Sequence, residues 1–313
     1  MLNRRFLRIK AFQALYSYSR EEGADAAAYR RKLLSGLDKT YELYLFLLAF
    51  LPEFRSFLAQ ELEIEKGKFI PSSEQIKLLQ VLSDNKVIAI LDNSPAFTEA
   101  LKLNKVSWSG SHDLFRQIWQ ELRNHAMVQN YLKAGQYDLA NDKLLVAGIL
   151  EWLSAEFELF EAFVEERYLN WEDDQVLVIV TLQKTIQGLK ENSSKVLPDK
   201  HKDEKEDIKF LKDLFDLSIQ HDEELMQLIA AKTKNWDQDR IALVDLILMK
   251  MALCEVMYFS FIPVKVSINE YLELAKLYST PNSHGFINGV LDKVQIELRK
   301  DNRIQKMGRG LVD

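Results

Sequence analysis

The chain has 313 residues, 47% of them hydrophobic, so it can bury a sizeable core in one large domain or two smaller ones. Acidic residues outnumber basic ones by 47 to 41, and the net charge of −6 argues against binding of nucleic acid by the whole surface. Glycine and proline are scarce, with 11 and 6 residues, which favours an all-α protein. The one cysteine, Cys254, excludes an internal disulfide, indicates a reducing compartment and lies in an apolar run that predicts burial.

The first predicted helix carries a cluster of basic side chains. A possible N-cap at Asn3 and helical spacing of apolar residues predict a helix over residues 3–20. Its first turns contain four cations and no acid: Arg4, Arg5, Arg8 and Lys10. The helix macrodipole disfavours cations at this end, so the cluster indicates binding of an external anion. The alternative is a solubilising face of the helix.

Helical periodicity continues along most of the chain. A long segment from Ala27 to Leu62 is expected to be interrupted near Pro52. Further helices are expected over residues 73–91, 95–103, 112–134, 137–168, 173–189, 210–232, 237–258, 267–278 and 283–299.

Three segments depart from this pattern. The run from Val176 to Val180 would also suit a strand, but helix is preferred because no partner strand lies nearby. Residues 191–207 are polar and highly charged and contain a proline, which predicts a linker. Residues 303–313 are expected to form a frayed basic tail.

The segment from Ile262 to Lys293 carries the clearest local signals. Ser267 and Glu270 match a capping box, and Val266 and Tyr271 stand at the positions of a hydrophobic staple. These patterns predict a helix start at Ser267, and the proline and valines just before it predict an extended approach.

The polar residues 280–283 predict a break after this helix and a new N-cap. Phe286, Val290 and Val294 then repeat at every fourth position, as on the buried face of a further helix. Core packing is the simplest role for these apolar residues, whereas the polar turn is available for binding.

Residues 241–262 are apolar and long enough to span a membrane, but Asp245, Lys250 and Glu255 interrupt them. Each such charge costs about 2.5–3.5 kcal/mol at mid-membrane. We therefore expect the central helix of a helical bundle, with those charges at its edges or in ion pairs, and no membrane association. The N-terminus lacks the apolar segment of a secretory signal, so we expect a cytoplasmic protein.

Known catalytic and cofactor motifs are absent from the sequence. No phosphate-binding glycine loop, HExxH or GxSxG motif occurs. The pairs Glu121/His125 and His221/Glu224 have helical ligand spacing, but no second matching pair accompanies them. We therefore expect no enzyme activity, no metal and no cofactor.

Two distant parts of the chain together carry a family resemblance. Residues 3–16 read NRRFLRIKAFQALY, residues 263–276 read PVKVSINEYLELAK, and residues 283–293 read SHGFINGVLDK. The chain resembles the NusB family of transcription antitermination factors, whose members carry an arginine-rich first helix, PYKVAINEAIELAK and SHKFVNGVLDK. The residues Asp239-Arg240-Ile241, at the expected start of the central helix, belong to the same resemblance.

The resemblance implies an all-α, NusB-like helical bundle with additional inserted helices, because residues of about 25–205 have no counterpart in short members of the family. It predicts an N-terminal part over residues 1–206, comprising the arginine-rich helix, the insertion and the charged linker. A NusB-like bundle over residues 207–298 and a basic tail over 299–313 follow.

The function implied by the resemblance is recognition of boxA-type single-stranded RNA. The implied partners are a NusE-type small-subunit ribosomal protein and the transcription elongation complex, in support of ribosomal RNA transcription. The residues implied to bind RNA are Arg4, Arg5, Arg8, Lys10, Asn282, Ser283 and Phe286. Gly285 departs from the family, which usually has lysine there.

Two alternatives stay open at this point. The acidic net charge and Gly285 are compatible with a helical protein-binding adaptor that has lost RNA binding. A NusB-like domain also accompanies RNA methyltransferases, but the chain lacks a glycine-rich cofactor loop and a catalytic cysteine motif.

Overall fold

The computed structural model describes residues 1–193, 195–233 and 241–311, and this part of the chain is all-α. Its fifteen α-helices are, in order, α1 Arg4–Arg20, α2 Ala26–Lys66, α3 Ser73–Ser83, α4 Lys86–Asp92, α5 Pro95–Leu103, α6 His112–Leu122, α7 Ala126–Ala134, α8 Leu139–Ala155, α9 Glu158–Arg167, α10 Trp171–Gly188, α11 Glu204–Gln220, α12 Asp222–Lys232, α13 Leu243–Tyr258, α14 Val264–Tyr278 and α15 Ser283–Lys300.

The chain divides into two compact units. Unit 1 comprises Met1 and residues 37–200, and unit 2 comprises residues 2–36 and 201–313. Helix α2 contributes residues to both units, and unit 2 is built from both ends of the chain. The division into residues 1–206, 207–298 and 299–313 stays a prediction.

Polar side chains at helix starts explain several element boundaries. Asn3 Oδ1 accepts a hydrogen bond from Phe6 N at 2.9 Å, which confirms the predicted cap of α1. Asn85 Oδ1 accepts from the N–H groups of Val87 and Ile88, at 3.0 and 3.3 Å, and so separates α3 from α4 where one helix was predicted. Asp203 caps α11, whose first residues lie inside the predicted linker.

The expected interruption at Pro52 is wrong, because α2 continues through it. Proline inside a helix costs about 3 kcal/mol, since it removes one backbone hydrogen bond and crowds the preceding turn. Apolar side chains on both sides of Pro52 are buried in unit 1, and each contributes about 1.5–3 kcal/mol. They include Leu43, Leu47, Phe50, Leu51, Phe54 and Leu58.

The core of unit 1 is aromatic. Trp108 stacks on Phe46 with ring centroids 4.1 Å apart, and its indole N–H donates to Phe46 O at 2.7 Å. Phe50 and Phe115 contact the same indole edge-on and in a tilted arrangement. Residues 176–180 lie within α10, which confirms the helical prediction for that run.

Helix α13 is the centre of unit 2 and contacts α1, α11, α12, α14 and α15. It is buried on nearly all sides, as predicted for the central helix, although the expected start at Asp237 lies outside the described residues. Cys254 is buried as predicted, and burial raises the pKa of its thiol to about 12. None of the helices described is long and apolar enough to cross a membrane.

The basic tail is docked, so the prediction of a frayed tail is wrong as far as Leu311. Met307 N donates to Ser260 O at 2.9 Å, and the Arg303 guanidinium pairs with the Glu224 carboxylate. A short 3-10 helix, Gly308–Leu311, ends the described chain. The tail donates hydrogen bonds to backbone carbonyls at the end of α13 and just after it, and sequence periodicity does not reveal such contacts.

Candidate nucleic-acid interface

A buried ion pair fixes the arginine-rich helix α1 against α13. Arg8 is only 3% exposed, and its Nε and Nη2 donate to Glu255 Oε2 and Oε1 at 2.8 and 2.7 Å. Burial lowers the pKa of the Arg8 guanidinium, but the hydrogen bonds and charge of Glu255 outweigh that effect, so the pKa stays above its ordinary value. The Arg8 guanidinium therefore stays charged, and Arg8 faces the interior of unit 2.

Helix α14 supplies two further hydrogen-bond donors to the Glu255 carboxylate. Ser267 Oγ donates to Glu255 Oε1 at 2.7 Å, and the Tyr271 hydroxyl donates to Oε2 at 3.1 Å. Arg8 Nη1 also lies 3.5 Å from Glu270 Oε2. The carboxylate is thus hydrogen-bonded through both oxygens, as a buried charge requires.

These contacts correct the predicted capping box. Helix α14 begins at Val264, with Pro263 in the N-cap position, so Ser267 and Glu270 lie within the helix. Val266 is exposed and forms no staple. Proline lacks the N–H that a first turn leaves unpaired, so it starts the helix without loss. The Ser267 hydroxyl is consequently available to Glu255.

The two arginines at the start of α1 are half-exposed and paired. Arg5, 50% exposed, donates through Nε and Nη2 to Glu270 at 2.9 and 2.8 Å, and these hydrogen bonds hold the pKa of the Glu270 carboxyl below its usual value. Arg4, 37% exposed, has its Nε 3.1 Å from Asp207 Oδ1. Its guanidinium carbon also lies 4.4 Å from the centre of the Phe210 ring.

Lys10 is buried, and its ammonium nitrogen lies 5.4 Å from the centre of the Phe6 ring. Arg8 and Lys10 therefore lie inside unit 2, whereas Arg4 and Arg5 lie at its surface. Arg4 and Arg8 are four residues apart, which alone would place both on one face of the helix. They differ because both charged oxygens of the fully buried Glu255 pair with Arg8, whereas Arg4 lies between the buried Asp207 and the Glu206 side chain, which is 75% exposed.

The polar turn between α14 and α15 forms as predicted. Asn282 is exposed at the N-cap position of α15, and Phe286 is half-buried one turn further. Ser283 is buried, and its hydroxyl lies 2.9 Å from that of Ser279 and 2.8 Å from that of Thr280. Of the three predicted RNA contacts in this turn, Asn282 is thus the most accessible.

Helix α14 links the two predicted parts of the site. Glu273 interacts electrostatically with Arg5 on α1 and with His284 in the first turn of α15, and each lowers the pKa of its carboxyl after the main effect of Lys276. Phe12 on α1 also packs on Tyr278 at the end of α14, with ring centroids 5.0 Å apart. The exposed start of α1 and the polar turn before α15 therefore both lie next to α14.

The sequence did not predict the carboxylates that surround the arginines. Glu255 was expected only to find some ion pair, and Glu270 was assigned to a cap. The available signal was an acid within an otherwise apolar helix, which requires a cationic partner. The other charges in that helix follow the expectation, since Lys250 pairs with Asp222 at 2.5 Å and Asp245 accepts from Ser279.

Comparisons with known proteins identify the family. The model of the NusB family matches residues 174–295. The transcription antitermination protein NusB of Finegoldia magna is 42% identical over 98 residues, which cover 31% of this chain and 70% of that protein. The chain belongs to the NusB family.

Two further NusB proteins match this NusB-family chain. That of Salinibacter ruber is 41% identical over 103 residues, which cover 33% of this chain and 64% of the relative. That of Chloroherpeton thalassium is 43% identical over 95 residues, which cover 30% and 45%. The matches thus span less than two thirds of these two relatives. No solved structure gives a significant match to the chain.

Proposed function

We propose that this protein is a non-catalytic, RNA-binding transcription antitermination factor. In this proposal it recognises boxA-type single-stranded RNA with a NusE-type ribosomal protein in the transcription elongation complex and supports ribosomal RNA transcription. The three relatives are transcription antitermination proteins by name, which supports the antitermination role. The observation that carries the RNA-binding role is the arginine helix α1, anchored by the Arg8–Glu255 pair with the Arg4 and Arg5 head groups at the surface.

The half-exposed head groups of Arg4 and Arg5 are compatible with phosphate binding. A guanidinium has five N–H donors, so a phosphate can bind the outward donors of Arg4, 37% exposed, and Arg5, 50% exposed, while the largely buried Asp207 and Glu270 keep their ion pairs. Arginine can also bind phosphate through two parallel hydrogen bonds. We assign these two residues to phosphate contact, and we assign the buried Arg8 and Lys10 to positioning of α1 in place of the direct contact first predicted.

The turn before α15 supplies the second part of the proposed site. Asn282 can donate to a base or a phosphate, and the first turn of α15 presents backbone N–H groups to an anion. Phe286 provides a half-buried ring for contact with an unpaired base. Ser283, being buried, is assigned to holding the turn through its contacts with neighbouring hydroxyls.

Binding of a boxA-like RNA measured over a salt series tests this proposal. Each lost phosphate contact on a single strand reduces the slope of log K against log salt by about 0.7. We expect Arg5→Gln to weaken binding and to lower the slope by that amount, and Arg4→Gln to act similarly. The control is Arg116→Gln, which removes an exposed arginine from unit 1.

An unmodified chain that shows no binding at low salt contradicts the proposal. Binding that Arg4→Gln and Arg5→Gln leave unchanged contradicts the assignment to α1 and leaves RNA binding by another surface.

One observation favours a second function, that of a protein-binding adaptor without RNA. The head groups of Arg4 and Arg5 already face Asp207 and Glu270, and exposed Gly285 adds no cation to the turn. Capture of the NusE-type protein from RNase-treated lysate, together with no RNA binding at low salt, would support the adaptor. RNA binding at physiological salt would exclude it.

A further inference from the structure

The docked C-terminal tail has a specific set of contacts in unit 2. Lys306 Nζ donates to the carbonyl oxygens of Phe259 and Glu255, at 2.9 and 3.4 Å, at the end of α13. Met307 N donates to Ser260 O at 2.9 Å. The ammonium group thus lies at the C-terminal end of the helix, where the macrodipole favours a cation.

Two glycines let the tail backbone approach residues 260–261 closely. At Gly310 an added Cβ would lie 2.0 Å from Ser260 O, so no other residue fits there without a shift of the backbone. Gly308 has a φ of +53°, in the left-handed region, and lies against the Phe261 ring, where an added Cβ would be 3.5 Å from Cδ1. Arg309 stands between these two fixed positions.

The docked tail leaves an aromatic ring exposed, and it carries an exposed cation between the two glycines that approach residues 260–261. Phe261 is 66% exposed although Gly308 contacts it. Arg309 is also exposed. Residues 302–311 contain the three cations Arg303, Lys306 and Arg309 and no acid. Arg303 pairs with Glu224 and Lys306 donates to backbone carbonyls, so Arg309 is the cation of this segment that projects to the surface. A ring available for stacking near an exposed cation is the combination that proteins use to bind unpaired bases.

This surface lies beside the start of α1. The Arg4 guanidinium carbon is 4.4 Å from the centre of the Phe210 ring. The Phe210 ring is in turn 5.3 Å from that of Phe259, the residue whose carbonyl accepts from Lys306. One continuous series of contacts therefore joins the arginine helix to the tail.

We infer that Phe261 and the docked tail form a second contact surface for single-stranded RNA, with Phe261 stacking on a base and Arg309 binding a phosphate. This inference rests on the proposed function and extends it, because it assigns an RNA contact to a part of the chain outside α1 and the turn before α15. Lys306 and the two glycines act as positioning residues that hold Arg309 next to the ring.

Binding of single-stranded RNA by the full chain, measured by fluorescence anisotropy over a salt series, tests the inference. Phe261→Leu keeps an apolar side chain and removes the ring, and loss of one stacked base weakens binding by roughly five- to a hundredfold. Arg309→Gln is expected to lower the salt slope by about 0.7. The matched controls are Phe69→Leu, at a fully exposed phenylalanine of unit 1, and Arg116→Gln.

Arg5→Gln in the same series separates this inference from the proposed function. Weaker binding in Arg5→Gln, with Phe261→Leu and Arg309→Gln unchanged, overturns the tail surface and keeps the antitermination proposal. No binding by the unmodified chain overturns both. Unchanged RNA binding with loss of capture of a NusE-type protein would make the surface a protein contact and overturn its RNA role. UV crosslinking of RNA to residues 259–262 of the unmodified chain provides support independent of any variant.

Discussion

Replacing Glu255 by glutamine removes one charge from the centre of unit 2 and leaves the shape of the side chain. Arg8, 3% exposed, then keeps only the distant Glu270 oxygen at 3.5 Å as a charged partner. Breaking a buried pair by removing one partner costs about 3–5 kcal/mol, because the other charge stays buried without compensation. A typical domain is stable by only about 5–15 kcal/mol, so unit 2 should open far more often.

The single cysteine makes the effect measurable for unit 2 alone. Cys254 is adjacent to Glu255 and fully buried, and burial raises the pKa of its thiol to about 12, so a thiol reagent reacts only when unit 2 opens. The expected rise in labelling rate under native conditions is roughly a hundred- to a few-thousandfold. The control Glu273→Gln makes the same chemical change on exposed α14 surface and should label like the unmodified chain.

Labelling of Glu255→Gln at the rate of Glu273→Gln would refute the reasoning, since the buried charge would then contribute little to holding α1. A second measurement distinguishes a charge effect from a packing effect. If the unpaired Arg8 charge is the cause, adding Arg8→Met to Glu255→Gln should restore part of the lost stability, and the two changes will not be additive.

Three further changes have expected outcomes. Burial lowers the pKa of Lys306 to about 8, below its ordinary value of 10.5, so the folded state binds fewer protons than the unfolded state between these pH values. The thermal stability of unit 2 should therefore rise as the pH increases through that window. Thermal melts at several pH values should show that Lys306→Met removes this increase. Gly310→Ala should release the tail, detected as faster proteolysis after residue 300, whereas Gly285→Ala, with open space around its Cβ, should not. Asn85→Ala removes a buried cap from unit 1 and should lower its urea stability by about 1–2 kcal/mol without changing Cys254 labelling.

Signals that act within one turn of the chain were readable from the sequence. Asn3 and the apolar repeat after it gave the first helix nearly to the residue, and the polar turn at 280–283 separated α14 from α15 as expected. Two possible helix starts close together in the sequence were harder to distinguish. Ser267 and Glu270 suit a capping box at a helix start, but they also suit positions inside α14. Only the position of Pro263 and the need of Glu255 for a hydrogen-bond donor decide between these two arrangements.

The candidate site depended on contacts between distant parts of the chain. Arg4, Arg5 and Arg8 are equivalent in sequence as cations near a helix start. Their different exposures follow from carboxylates about 200 or more residues away, at Asp207 and Glu255 among others. Periodicity identifies the helices that carry these acids but not which cation each acid meets. Family resemblance located the helix, and the structure separated its surface arginines from the interior one.

The separation of 247 residues between Arg8 and Glu255 has a consequence for synthesis of the chain. At about 5–20 residues per second, α1 leaves the ribosome roughly 10–50 seconds before α13 is made. Throughout that interval its apolar residues, among them Phe6 and Leu7, lack α13, and for most of it they also lack α11, another helix of unit 2 that contacts α1. Residues 37–200, which form most of unit 1, leave the ribosome during the same interval and can fold before α13 is made. Nascent α1 is therefore a natural substrate for chaperones that hold exposed apolar segments until the remainder of the chain arrives.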